Sequence, residues 1–254
     1  MAKTALITGA SSGLGAEFCR QLAATGADLV LVARDADTLR ALAGELEGRH
    51  GIRCEVLPAD LTTPSGLSAV EHRLSDSHRP IGVLVNNAGF GLDLRFERTD
   101  IADEDRHLDL HVRATMRLTH AVLPGMLQRG AGRVINVASV AAFLPRGTYG
   151  AVKAWVVSFS RWANVTYAPR GVTVTALCPG FTHTSFHERM GLAPGEEGVA
   201  GAMWLDAADV VATGIRDAAR GRSVSIPSWR YKVLVTAARM LPAGLVARVA
   251  SAGR

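Results

Sequence analysis

A tyrosine and a lysine four residues apart, Tyr149 and Lys153, form the pair in this sequence best suited to moving a proton. At i, i+4 on a helix both side chains leave from one face. A phenol with a pKa of about 10 is a weak acid–base catalyst at neutral pH, and an adjacent ammonium is expected to lower that value by favouring the phenolate. Lysine is scarce here: Lys3, Lys153 and Lys232 stand against 25 arginines, so a lysine at this spacing from a tyrosine is informative. Ser139 ends an apolar run, where its hydroxyl could hold a substrate oxygen beside the phenol.

A second chemical feature lies near the start. Thr8-Gly-Ala-Ser-Ser-Gly-Leu-Gly15 joins an apolar run to an amphipathic one. Gly9 permits a tight turn, Gly13 lets backbone approach a pyrophosphate, and Gly15 lets helix and strand pack closely. The N–H groups of the following helix then face the phosphates. The spacing is G-x3-G-x-G rather than G-x-G-x-x-G. In dinucleotide folds an acidic residue about 20 positions on holds the ribose 2′-hydroxyl. Here the second apolar run ends in Ala33 followed by Arg34, and Asp35 comes one step too late. Arginine suits a 2′-phosphate through charge-assisted hydrogen bonds, which predicts NADP(H) over NAD(H).

These residues need a scaffold, and the apolar pattern supplies one. Predicted strands are Ala5–Thr8, Leu29–Ala33, Cys54–Leu57, Val83–Asn86, Val134–Ala138, Thr173–Leu177 and Val224–Ile226. Between them, helical spacing covers Gly13–Thr25, Ala36–Glu47, Ser65–Asp76, Asp103–Leu123, Tyr149–Ala168 and Asp206–Arg220. In Asp103–Leu123 the inward face is read as Leu108, Val112, Thr115, Thr119 and Val122. Strands apolar throughout and joined by helices imply a parallel sheet covered on both faces. The expected fold is α/β, a doubly wound Rossmann-type parallel sheet of about seven strands in a single domain. That domain spans residues 1–230. Its irregular stretch of about 181–201 is long enough to suggest a functional lid. Residues 231–254 read as a basic amphipathic C-terminal segment, not a separate domain.

Length and charge limit the alternatives. A chain of 254 residues fits one domain, since single cores run to about 250–300 residues. The net charge of +5 is uneven. Residues 216–254 hold eight basic groups and one acid, a balance of +7, leaving −2 for residues 1–215. The basic tail lacks interleaved aromatics beyond Trp229 and Tyr231, so nucleic acid is not an expected partner. No run reaches the roughly 18 apolar residues of a membrane span. Met1–Thr8 leads directly into a strand without the parts of an export signal, which points to the cytoplasm. Cys19, Cys54 and Cys178 are too widely spaced for a disulfide framework or metal cluster.

Taken in order, Gly9–Gly15, Asn86-Asn-Ala-Gly89, Ser139, Tyr149-x3-Lys153 and Pro179-Gly180 resemble the short-chain dehydrogenase/reductase superfamily. The likeness is to the subfamily with chains of about 250 residues, and it runs from residue 4 to about 226. The resemblance implies that Gly9, Ser11, Ser12, Gly13, Leu14 and Gly15 cradle the pyrophosphate and that Arg34 binds the 2′-phosphate. Asp60 and Leu61 would contact adenine. Asn87, Ala88 and Gly89 would line the adenosine ribose side, while Asn86 braces neighbouring strands. Tyr149 would be general acid for carbonyl reduction and base for alcohol oxidation. Lys153 would lower the Tyr149 pKa and bind the nicotinamide ribose, and Ser139 would stabilise the developing alkoxide. Pro179, Gly180, Thr182 and Thr184 would hold the nicotinamide end. A homodimer or homotetramer is also implied, as is a hydrophobic ketone or aldehyde as substrate.

Two positions depart from the family pattern. Where these enzymes carry an asparagine that completes a relay to the lysine, the sequence has His111. Because that asparagine acts largely through its backbone carbonyl, His111 is expected to keep the relay and to add a group titrating near neutral pH. Ser139 and Tyr149 are also only ten residues apart, so the Val140–Thr148 loop must be tight. His107 with His111, and His183 with His187, have metal-like spacing but no third ligand, and no metal is expected. His183 and His187 fall in the lid, within reach of substrate. Trp155 and Trp162 are read as core or subunit contacts. In Tyr231–Ala250 the residues Val233, Leu234, Ala237, Met240 and Leu241 suggest one apolar stripe covering the substrate cleft or a subunit interface. Docking of this basic stretch to an acidic membrane surface or acyl carrier is a further option. The expected activity is NADP(H)-dependent carbonyl–alcohol interconversion. The alternatives are a nucleotide-binding sensor without turnover, and an isomerase or dehydratase.

Overall fold

The computed structural model describes residues 3–92, 95–183 and 201–241, apart from the side chain of Arg239. Thr184 and His187, most of the expected lid, and the tail from Pro242 through Arg248 to Arg254 lie outside the described residues. Seven strands form one parallel sheet in the order β3-β2-β1-β4-β5-β6-β7. They are β1 (Thr4–Thr8), β2 (Asp28–Ala33), β3 (Cys54–Pro58), β4 (Ile81–Asn86), β5 (Gly132–Val137), β6 (Val172–Leu177) and β7 (Val224–Ser225). The helices are α1 (Gly13–Ala24), α2 (Ala36–His50), α3 (Pro64–Ser75), α4 (Ile101–Leu108), α5 (Thr115–Arg129), α6 (Gly147–Tyr167), α7 (Ala207–Ala219) and α8 (Trp229–Met240). The doubly wound Rossmann-type architecture is as expected.

Alternation along each strand explains why the strands are apolar throughout. In β1, Ala5 and Ile7 join Phe18, Leu22, Leu39, Leu46 and Val210 on one face. Leu6, from the opposite side of the same strand, packs with Leu67, Val70, Leu118, Val122 and Met126. Both faces are therefore dry, and most strand positions carry an apolar side chain. Local signals set the helix ends. The Asp35 carboxylate accepts from the N–H groups of Asp37 and Thr38 at the start of α2. Thr63 caps α3, Asp100 caps α4 and Asp206 caps α7 in the same way.

Three features differ from the sequence expectation. The helix expected over Asp103–Leu123 is divided by a π-helical segment, Asp109–Ala114, between α4 and α5. This wider turn rotates the inward face, so His107 and His111 point inside while Leu108 is 49% exposed. Pro124 does not stop α5, which runs on to Arg129 and ends at Gly130 in the left-handed region. On α8 it is Tyr231 and Val235 that face the interior, with Val140, Phe143, Phe181 and Met203 around them. Val233, Leu234, Met240 and Leu241 of the expected stripe are exposed. Two apolar stripes compete on this helix, and the one carrying a ring with a hydroxyl won.

Candidate active site

The strand order reverses direction between β1 and β4, and the chemically interesting residues gather at the carboxyl ends of β1, β4, β5 and β6. The turn after β1 is stapled to β4 by a residue that the sequence reading passed over. Thr8 Oγ1 accepts from the N–H groups of Asn87 (2.9 Å) and Ala88 (3.0 Å). Asn87 Nδ2 in return donates to the carbonyls of Thr8 (2.9 Å) and Gly9 (3.3 Å). The side chain of Asn87 is thus committed to shaping the glycine turn. A Cβ on Gly15 would lie 2.0 Å from the Gly9 carbonyl oxygen, so no other residue fits.

Ser12 occupies the N-cap of α1 with extended backbone and makes no side-chain hydrogen bond to the helix N–H groups. The first turn, Gly13, Leu14 and Gly15, therefore offers N–H groups and the positive end of the helix dipole toward the turn that holds Ser11. This cradle fits a pyrophosphate. At the tip of β2 the guanidinium of Arg34 is exposed, while the Asp35 carboxylate is used up by the α2 cap. Burial alone would raise the Asp60 pKa. Hydrogen bonds from Thr62 and the charges of Arg34 and Arg106 bring it below its ordinary value. Leu61 lies in the core beside it, 6% exposed.

Ser139, Tyr149 and Lys153 converge at the end of β5. The ten residues from Ser139 to Tyr149 are taken up by a 3-10 turn, Val140–Phe143, and α6 starts at Gly147, two residues before the tyrosine. Ser139 Oγ accepts from the Ala141 N–H at 3.1 Å and shares a hydrogen bond with Tyr149 that favours the phenolate. Lys153 Nζ lies 5.7 Å from the centre of the Tyr149 ring and donates to the Val137 carbonyl at 2.7 Å.

The electrostatics reverse the simple expectation. Burial pushes the Tyr149 phenol up to about 12, with the Cys178 thiol adding to it and Ser139 opposing. Burial likewise pulls Lys153 down to about 7. Burial strips water from the charged form of each group, and the lysine spends its hydrogen bond on a backbone carbonyl. His111 is corrected too. Its burial, then the charges of Lys153 and His107, hold it well below 6.5, so it does not titrate near neutrality. Its Nε2 sits 2.8 Å from the Phe90 carbonyl oxygen. Gly89 explains that placement, because a Cβ there would come within 2.5 Å of His111 Cε1.

Asn86 does brace its neighbours. Its Nδ2 donates to Asn136 Oδ1 on β5 (2.8 Å) and to Thr119 on α5 (3.2 Å), and Asn136 continues the chain to Ser160 on α6 (2.9 Å). Beyond β6, the Pro179 carbonyl accepts from the Val140 N–H at 2.9 Å. Gly180 lies under the Tyr231 ring, which a Cβ would strike at 2.0 Å. The Tyr231 hydroxyl accepts from the Phe181 N–H (3.0 Å) and donates to the Met203 carbonyl (2.9 Å). Thr182 Oγ1 donates to the Gly180 carbonyl at 3.0 Å. Nothing in the sequence around Tyr231 marks this role, which arises only where α8 folds back. His183 stacks on Trp204 with ring centres 4.7 Å apart. Trp155 stacks on Phe159, whereas Trp162 is 56% exposed. Among the described residues no three His, Cys, Asp or Glu side chains gather around a metal position, and no helix is long and apolar enough to cross a membrane.

Comparison with known proteins matches the chain to a family. Residues 3–193 match the family model of the short chain dehydrogenases. The oxidoreductase UcpA of Salmonella typhimurium is 38% identical over 192 residues, covering 73% of this chain and 72% of UcpA. A short-chain dehydrogenase from Sphingobium yanoikuyae in complex with NADPH is 37% identical, with a TM-score of 0.82 and 93% of each chain covered. The bulky-bulky ketone specific alcohol dehydrogenase of Comamonas testosteroni is 33% identical with a TM-score of 0.79, covering 93% of this chain and 92% of that one.

Proposed function

This chain belongs to the short-chain dehydrogenase/reductase family of oxidoreductases, and on that premise we propose that it reduces a hydrophobic ketone or aldehyde with NADPH, using Tyr149 as the acid. The observation that carries the reading is the meeting of Ser139, Tyr149 and Lys153 at the end of β5, beside the glycine cradle of β1. When bound, the nicotinamide supplies the hydride. The chain's own residues do the rest. Ser139 holds the substrate oxygen, and the Tyr149 hydroxyl gives its proton to that oxygen as negative charge develops. With its pKa at about 12 the phenol is protonated at neutral pH, which is the form that reduction consumes. Lys153, at about 7, exchanges protons readily at the same pH.

Two observations support NADP(H). Asp35, which could have gripped a 2′-hydroxyl, is committed to capping α2, and the exposed Arg34 beside Asp60 is suited to meet a phosphate. The relative from Sphingobium yanoikuyae is bound to NADPH. Thr184 would join Pro179, Gly180 and Thr182 at the nicotinamide end. A hydrophobic substrate is in keeping with the bulky-bulky ketone specificity named for the Comamonas relative. A homodimer or homotetramer in the cytoplasm completes the reading.

The test is NADPH absorbance with a panel of bulky ketones, aryl ketones and 3-oxo esters. Substrate-dependent loss of absorbance, abolished by Tyr149→Phe, is expected. No oxidation across the panel favours the sensor or isomerase alternatives. For the cofactor, loss of one charge-assisted contact is worth about 1.5–3 kcal/mol, so Arg34→Asp should lower the NADPH/NADH ratio of kcat/KM by roughly 10- to 100-fold. An unchanged ratio refutes the assignment.

A further inference from the structure

Helix α8 has two apolar faces, and among the described residues only one of them is covered. At 3.6 residues per turn, Tyr231 and Val235 lie within about 40° of each other on its inner side. Trp229, Val233 and Met240 lie within about 40° of one another on the opposite side. Tyr231 and Val235 are buried, whereas Trp229, Val233 and Met240 are 69%, 61% and 82% exposed. Ala237, which continues the outer stripe, is exposed as well. Single exposed apolar residues are ordinary, but a continuous stripe pointing straight away from the protein marks a contact surface. No charged residue interrupts it, although the solvent face of a helix is normally polar.

Cations flank the stripe instead. Arg230 and Lys232 stand about 80° to either side of its centre, and both are exposed. The Arg230 guanidinium lies 5.7 Å from the centre of the Trp229 ring and donates to the Ala202 carbonyl, which fixes this corner of the helix. From Ala218 to Arg254 the sequence has seven basic residues and no acid. That charge decides what covers the face. A second copy, or the rest of the tail, would set cations against cations. An acidic protein would answer the charge but not a lengthwise run of side chains without a hydrogen-bonding group. An anionic bilayer answers both, with phosphates for the cations and the acyl boundary for the stripe. Indole favours that level, where its ring is dry and its N–H is wet.

We propose that α8 docks this protein lengthwise on an anionic membrane surface. Trp229, Val233 and Met240 enter the boundary between headgroups and acyl chains, and Arg230 and Lys232 pair with lipid phosphates. The contact is peripheral, because 12 residues make a helix about 18 Å long, short of a hydrocarbon core of roughly 30 Å. On the inner side of the same helix, Tyr231 holds the Phe181 N–H and the Met203 carbonyl, so the docked face lies behind the segment that follows Pro179 and Gly180. The inference is independent of the reductase reading.

The experiment sediments the full chain with sucrose-loaded vesicles of phosphatidylglycerol and phosphatidylcholine in equal parts, or of phosphatidylcholine alone. Binding to the anionic vesicles is expected at low salt, with partition about tenfold or more weaker on phosphatidylcholine and in about 0.5 M sodium chloride. The triple variant Trp229→Gln, Val233→Ser, Met240→Gln should weaken it about tenfold or more. Lys232→Gln should weaken it about fivefold at low salt. Vesicles should shift tryptophan emission to the blue in wild type but not in Trp229→Phe. No sedimentation with anionic vesicles at low salt overturns the proposal. So does a triple variant that binds like wild type, or a blue shift that Trp229→Phe retains. A dimer in lipid-free ultracentrifugation that the triple variant abolishes gives the face to a second copy and also overturns it. Binding of an acidic acyl carrier protein without vesicle binding does the same in favour of a protein partner. Should the triple variant not fold by circular dichroism, Trp229→Phe emission and the Lys232→Gln loss decide.

Discussion

Lys153→Met should make the cofactor-free protein more stable while abolishing its activity. Lys153 is 4% exposed, and its burial moves the pKa from 10.5 to about 7. Between those values the unfolded chain holds a proton that the folded chain lacks. Stability therefore rises with pH across that window, and the penalty for burying the ammonium is fully present below pH 7. At about 1.4 kcal/mol per unit, the ceiling on that penalty is roughly 5 kcal/mol. Methionine keeps the length of the stem, so packing changes little. It loses the hydrogen bond to the Val137 carbonyl, a charged donor worth about 1.5–3 kcal/mol. The net gain is roughly 2–3 kcal/mol just below pH 7, shrinking toward zero or below as pH approaches 10. Urea unfolding of both proteins at several pH values between 6.5 and 10 measures it directly. A variant that is less stable near neutrality, or a difference that does not vary with pH, would show that the buried ammonium carries no such penalty.

Other perturbations follow the same logic. Tyr231→Phe leaves the Phe181 N–H and Met203 carbonyl unpaired, at about 1–3 kcal/mol each as an upper figure. A calorimetric Tm lowered by several degrees, roughly 2–4 °C per kcal/mol, is expected, together with a higher KM for the nicotinamide cofactor. Asn136→Leu breaks the buried chain from Asn86 to Ser160 and should cost about 2–4 kcal/mol in denaturant unfolding, most of it from the stranded amide of Asn86. His107 is held down at about 4, so the unfolded chain gains a proton as pH falls below 6.5 while the folded chain does not. Stability should drop between pH 6.5 and 4, and His107→Phe should flatten that slope in acid titration followed by circular dichroism.

Much of this protein could be read along the chain because the features concerned are local or periodic. Strands buried on both faces are apolar at most positions, which marks β1, β2, β4, β5 and β6. The glycine turn is equally plain, since a single Cβ at Gly15 would collide with Gly9. The spacing of Tyr149 and Lys153 is enough to put both on one helical face. What could not be read were quantities that depend on how much water surrounds a group. An ammonium near a phenol suggests an acidified tyrosine, yet enclosure raises Tyr149 and lowers Lys153, because burial strips water from the charged form of each. The inserted π turn left no trace in the residue pattern, so Leu108 seemed to face inward and His107 did not. Tyr231 acquires its role only because α8 folds back across the loop after β6, some 50 residues earlier in the chain. Periodicity and close approach are written residue by residue, so the sequence alone determined the sheet, its order of elements and the side chains of the candidate site. Burial and long-range contact belong to the assembled molecule, and they decided which of those side chains hold a proton and which neighbours keep them in place.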